Sequence, residues 1–188
     1  MGTAMQGEVM STCPPRCLLW VESGHCAVAA QIYAAPMDTS TDLLDSFRTD
    51  LCGLPVSHVW RGHGSALFVE FGQLTPRLNR DGTPGNPDGE FGLMIEWSWR
   101  IEGASEILCG SWSEEELWEP AFQNLIGRTV EGLTTFGRLP EIAVALSGDM
   151  HLSSFMTSDG QPEWALFDRR SADVRVIHSR NGRVCEES

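Results

Sequence analysis

The densest run of reactive side chains in the chain is Ser57-His58-Val59-Trp60-Arg61-Gly62-His63-Gly64-Ser65, with Glu70 shortly after it. A histidine near a carboxylate suits general acid–base work, because its ring titrates close to neutrality. Arg61 adds a planar donor fork that fits an anion. His58, Arg61, His63 and Glu70 are therefore the candidate catalytic set, on condition that they converge on one pocket. The glycines on either side of His63 have a second reading, since a tight hairpin turn needs such residues. No Gly-x-Ser-x-Gly, His-Glu-x-x-His, Gly-x-Gly-x-x-Gly or paired Cys-x-x-Cys pattern accompanies the cluster.

Other chemistries are narrowed by residue type. All 13 basic residues are arginine, so Schiff-base and phosphate-loop lysines are excluded. Cys13, Cys17, His25 and Cys26 match no common zinc spacing, and no metal or cofactor is expected. Cys52, Cys109 and Cys185 are far apart and form no disulfide framework. Met1 to Met10 carries no arginine, as a secretory leader would, and the chain holds no Asn-x-Ser/Thr site. A reducing cytoplasm is the expected location. No window reaches the ~20 apolar residues of a membrane span.

Charge points to a kind of partner. The 188 residues carry 26 acids against the 13 arginines, a formal net charge of −13. Met1 to Asp168 holds 8 arginines and 23 acids, whereas Arg169 to Ser188 holds 5 and 3. Such a body repels phosphates, which argues against nucleic acid. It suits a basic protein, and Glu114, Glu115, Glu116, Asp81 and Asp88 are the candidate partner-binding residues.

The elements that must position these groups read as mainly β. Leu51-Cys-Gly53-Leu-Pro-Val56-Ser-His-Val59 aligns with Leu125-Ile-Gly127-Arg-Thr-Val130-Glu-Gly-Leu133 at an offset of 74, and one inserted residue then aligns Leu67, Val69 and Phe71 with Ile142, Val144 and Leu146. Each copy reads as strand, turn and strand. Phe91 to Ile101 alternates apolar and polar residues and is expected as one strand, which places Trp97 and Trp99 in the core. Glu106 to Trp112 is its return. Met150–Met156, Glu163–Asp168 and Val174–His178 are further strands, with Asp159-Gly160 as a hairpin turn between the first two. Leu43, Leu44 and Phe47 mark a short amphipathic helix. Ser113 to Trp118 starts another, with a new turn from Pro120 to Leu125.

The expected fold is α+β, mainly β: two related β-meander halves forming a curved antiparallel sheet or partly open barrel of about nine strands, with one or two short helices between the halves. Residues 1–36 are set apart as an extension or start-site artefact. Residues 37–178 form one domain with halves 51–112 and 125–178, and 179–188 form a C-terminal tail. The loop Gly72–Glu90 is long enough for a binding loop.

Leu-x-Gly-x-x-Val at Leu51–Val56, the strand ending Phe71-Gly72, Trp97-Ser-Trp99-Arg100 and Pro162-Glu-Trp164-Ala-Leu166 together resemble small acidic bacterial families of unknown function. Some of these resemble the immunity proteins encoded beside polymorphic toxins. The resemblance implies a non-enzymatic cytoplasmic protein-binding module that docks a basic partner, and it carries across no functional residue. The alternative is a small-molecule binder or enzyme with a pocket near His58 and His63.

Overall fold

A computed structural model of the protein describes residues 39–158 and 163–187. The 1–36 segment and the Asp159-Gly160 turn lie outside the described residues. In chain order the elements are α1 (Thr39–Leu51), β1 (Val56–Arg61), β2 (Leu67–Phe71), β3 (Phe91–Ile95), β4 (Trp99–Glu102) and β5 (Ile107–Gly110). A single 3-10 turn (Glu115–Leu117) leads into α2 (Trp118–Leu125). Then come β6 (Val130–Phe136), β7 (Glu141–Leu146), β8 (Met150–Ser154), β9 (Trp164–Asp168), β10 (Arg175–Arg180) and β11 (Arg183–Glu186).

The fold is mainly β and the strands form two antiparallel sheets, ordered β1-β2-β3-β9-β10-β11 and β5-β4-β8-β7-β6. It is therefore neither one curved sheet nor a closed barrel. Each sheet joins a three-stranded meander from one half of the chain to strands from the other half. Both sheets turn their apolar residues to one shared core, to which α1 adds Leu44, Phe47 and Leu51 and α2 adds Trp118, Phe122 and Leu125. These residues sit three and four apart, on one face of each helix.

The chain reaches this arrangement by crossing twice between sheets. The alternation from Phe91 to Ile101 runs through two strands rather than the one expected. β3 belongs to the first sheet, β4 to the second, and the period survives because both face the same core. Phe91, Leu93, Ile95, Trp99 and Ile101 are buried. Trp97, expected in the core by its period, lies on the crossing segment and is only half-buried. The second crossing runs from β8 to β9, so these strands do not form the expected hairpin: β8 pairs with β4 and β7, and β9 with β3 and β10.

The crossings are tied together by backbone bonds. Glu96 N–H donates to Glu163 O and Phe155 N–H to Ser98 O, each at 3.0 Å. The strand after each crossing opens on a fully buried tryptophan whose indole N–H reaches back to a meander turn. Trp99 Nε1 donates to Ser65 O at 2.6 Å and Trp164 Nε1 to Pro140 O at 2.7 Å. Buried indoles need such an acceptor.

The meanders begin against one another. Gly53 N–H donates to Val130 O at 2.9 Å and Gly127 N–H to Val56 O at 2.8 Å. Val56 N–H donates to Arg128 O at 2.8 Å and Val130 N–H to Leu54 O at 2.9 Å. The offset of 74 relates Gly53 to Gly127, Leu54 to Arg128 and Val56 to Val130, so the four bonds form two reciprocal pairs. Gly53 and Gly127 have φ of 91° and 83°, in the left-handed region that lets a helix end turn straight into a strand.

The helices close the remaining gaps. α1 packs on β6 and β11, and α2 on β1 and β5, so each spans an edge of one sheet and an edge of the other. Pro120 lies in the first turn of α2, where a missing N–H leaves no bond unmade. The break expected near it is instead the change from the 3-10 turn to the α-helix at Trp118. Residues 179–188, set apart as a tail, include β11, which pairs with β10. Arg170 binds Asp50 of α1 at 2.5 Å and Asp168 of β9 at 2.9 Å while its guanidinium lies 4.6 Å from the Phe91 ring centroid.

Two outcomes follow from this geometry. Gly53→Ala and Gly127→Ala meet open space, so backbone strain alone should destabilise each by about 1–2 kcal/mol in urea denaturation. The hydrogen bond from Arg170 holds the Asp168 carboxyl below its ordinary value of 3.8. A carboxyl depressed by folding stabilises the fold above its unfolded pKa, and that contribution is lost as pH falls through the folded value. Acid unfolding followed by tryptophan fluorescence should therefore be less steep below about pH 4 in Asp168→Asn.

Candidate functional site

The reactive run is divided by the pleat of β1 and the turn that follows it. His58 sits directly opposite Glu70 on β2, so the two share a face of the first sheet. The Gly72–Glu90 loop folds over that face. Asn86 Oδ1 lies 3.0 Å from His58 Nε2, and Gly89 N–H donates to Glu70 Oε2 at 3.0 Å. Glu70 is buried and ion-paired: Arg169 Nη1 stands 2.9 Å from the same oxygen. The guanidinium reaches it across Gly92, where a Cβ would stand 2.5 Å from Arg169 Nη1. Glu70 is thus a structural carboxylate with its acceptor capacity engaged. Arg169 is the partner that sequence reasoning missed, because nothing local links residues 99 apart.

His63 stands apart. It is at the tip of the β1–β2 turn and exposed, held by backbone bonds from Gly62 N–H to Ala66 O and from Ala66 N–H to His63 O. Gly64, with φ of 63°, completes the turn. His58, Arg61, His63 and Glu70 accordingly do not converge on one pocket. Among the described residues, no group of three or more His, Cys, Asp or Glu could hold a metal ion. No helix of the described residues is long and apolar enough to cross a membrane.

Arg61 turns to the other face and meets a residue from the partner-binding set. Its Nη1 pairs with Glu115 Oε2 at 2.7 Å, Nε donates to Gly64 O at 2.6 Å, and the guanidinium lies 4.7 Å from the Trp118 ring centroid. This hydrogen bond holds the Glu115 carboxyl below the usual range. The pair stands in an open groove of about 810 Å³, lined by Trp97, Trp112 and Trp118 together with Ser65, Ser111 and Ser113. Trp118 Nε1 donates to Ser113 O at 3.2 Å, which fixes the floor.

Beyond this groove, among the described residues, the second sheet ends at β5, which pairs with β4. Ile107 is 63% exposed, Trp112 84% and Leu117 52%, and Leu108 and Glu114–Glu116 are exposed beside them. From Ile101 to Gly127 there are six glutamates and no arginine. An acid-rimmed apolar strip therefore runs along one edge of the molecule. Its signal in the sequence is the run Ile107-Leu108-Cys109: consecutive side chains in a strand alternate faces, and only Cys109 is buried. Burial pushes the Cys109 thiol up. Asp81 and Asp88 sit in the Gly72–Glu90 loop instead. Asp81 accepts from the Thr83 hydroxyl at 2.6 Å and from Thr83 N–H at 3.0 Å, which together lower its pKa, and Asp88 stands 3.5 Å from Arg77.

Comparison with protein-family models, curated proteins and solved structures finds no match to this chain.

Arg169→Ala leaves the Glu70 carboxylate buried without a counter-charge, and it should destabilise the fold by about 3–5 kcal/mol in urea denaturation. His63→Ala, at the exposed turn, should stay within about 0.5 kcal/mol of the parent in the same measurement.

Proposed function

We propose that the protein is a non-enzymatic protein-binding module that docks a basic partner along the β5 edge, in the manner of an immunity-type inhibitor. The observation that carries this reading is Trp112. An indole 84% exposed, among exposed Ile107, Leu108 and Leu117 and beside Glu114 and Glu116, has the composition of an interface anchor with a charged rim. The matching partner presents an apolar pocket surrounded by arginine or lysine. Complementary charge speeds their encounter and fixes orientation, while the buried indole supplies affinity. Glu114, Glu115 and Glu116 form the rim, and Asp81 and Asp88 act at most through the long-range field.

We further infer that halves 51–112 and 125–178 descend from one duplicated unit. The reciprocal bonds at Gly53/Gly127 and Val56/Val130, the paired crossings, and the two tryptophans bonded to meander turns support it. On this reading the Trp-lined groove and a second groove, formed by α1, the β6–β7 turn and β11 and lined by Leu44, Thr135 and Arg138, are equivalent places that have diverged.

Site-specific photo-crosslinking in the cells that make the protein tests the docking reading. Crosslinkers at Trp112 and Leu117 should each trap one basic protein, and a crosslinker at Val174, 50% exposed on a different loop, should not. A trap of equal yield at all positions, an acidic product or no product overturns the reading. With the trapped partner purified, Trp112→Ala should weaken binding by about thirtyfold, as loss of an anchor worth roughly 2 kcal/mol requires.

A further inference from the structure

Most of the described arginines have an acidic partner. Arg48, Arg61, Arg77, Arg100, Arg169, Arg170 and Arg175 are ion-paired, and Arg128 donates to Asn124 and to Ser147 O. The side chains of Arg80, Arg138, Arg180 and Arg183 have no ion pair, hydrogen bond or ring contact among the described residues. Three of these four fall on two turns that touch. Arg138 is on the β6–β7 turn beside Leu139, and Arg180 and Arg183 flank the Asn181-Gly182 turn between β10 and β11. A Cβ at Gly182 would stand 3.1 Å from Leu139 Cδ2.

The arrangement works against stability. Arg180 and Arg183 are directly opposite across the hairpin, where like charges repel. A chain with 26 acids has no shortage of residues that would neutralise them. Next to these turns lies a groove of about 900 Å³ between α1, the β6–β7 turn and β11, lined by Arg48, Arg138, Arg183, Thr134 and Thr135. Two carboxylates also line it, and both are already paired: Asp45 with Arg48 at 3.0 Å and Glu186 with Arg175 at 3.0 Å. The charges of Arg138 and Arg183 are left over.

We propose that this groove binds a phosphate-bearing small molecule through Arg138 and Arg183. Two unpaired guanidinium forks favour an oxyanion with several acceptor oxygens, each fork donating to two of them side by side. The threonine hydroxyls add neutral donors at the groove wall. A concave site of this size admits a diphosphate with a modest organic group, whereas a flat surface would be expected for a protein partner. The site is separate from the β5 edge and does not depend on the docking reading.

Titration calorimetry of the full chain at low ionic strength tests it, with inorganic phosphate, inorganic pyrophosphate and a nucleoside diphosphate as probes. Pyrophosphate should saturate one site per chain and bind more tightly than phosphate. Arg138→Ala and Arg183→Ala should each weaken it by about tenfold or more, the loss expected for one charge-assisted fork. Arg80→Ala, at an unpaired arginine on a different loop, should leave it unchanged. Both groove arginines are exposed, so thermal unfolding should confirm that the variants remain folded. Tighter binding of the nucleoside diphosphate would assign the source of the phosphate to a nucleotide, and equal binding to a free phosphate. Absence of saturable pyrophosphate binding, or equal affinity in the Arg138→Ala and Arg183→Ala variants, overturns the proposal.

Discussion

Four backbone hydrogen bonds between residues 53–56 and 127–130 hold the two sheets in one molecule. Each is worth only about 1 kcal/mol net, but at Val56 and Val130, which are buried, an unmade bond would cost more than a made one contributes. The bonds tie the start of β1 to the start of β6, the strands at which the two sheets adjoin. The rest follows from this junction. Each helix must end just before it, so Leu51 and Leu125 are fully buried at the helix ends and a left-handed glycine follows. Each meander must run away from it, and the chain can enter the other sheet only by crossing over the core. The tryptophans that open β4 and β9 then lock the crossings to the meander turns.

Charge is organised around the same frame. The C-terminal stretch, with five arginines, is not a free basic tail. Arg169 neutralises Glu70, Arg170 bridges Asp50 and Asp168, and Arg175 meets Glu186. Arginines late in the chain thus supply counter-charges both to early acids, Asp50 and Glu70, and to their own neighbours Asp168 and Glu186. Breaking the Arg169–Glu70 pair, whose carboxylate is buried, exposes the fold to the penalty of a lone charge, while the exposed Arg61–Glu115 and Arg175–Glu186 pairs contribute little to stability.

Period and turn chemistry made most of the elements legible. Leu43, Leu44 and Phe47 marked α1, and the alternation from Phe91 to Ile101 marked buried strand residues, whereas the Leu-x-Gly-x-x-Val pair, read as the opening of a strand, spans a helix end and a strand start. Period two could not reveal that the chain changes sheets at Glu96–Ser98, because a strand facing a shared core keeps its alternation on either side of the crossing. The candidate site was legible only in fragments. Arg61 and Glu115 were each singled out but not as partners, since the contact joins a hairpin turn to a helix start 54 residues on. Glu70 looked reactive because its neighbour Arg169 is distant in sequence. Exposure of Trp112 depends on where β5 ends, which no local pattern records.

An open edge strand with exposed Ile107 and Leu108 is ordinarily a hazard, since it offers unpaired backbone groups to any passing strand. Here the glutamates on both sides of β5 alter which strands are accepted. On the docking reading, a second copy of this chain would bring the same acids to the same edge and be disfavoured. A basic surface would not, and with such a surface the tryptophan can be buried without placing like charges together. On that reading the acids that disfavour self-pairing also select the partner. Retaining a large exposed indole at this edge is consistent with a surface shaped for binding, because a solvent-facing polar residue would serve the isolated fold better.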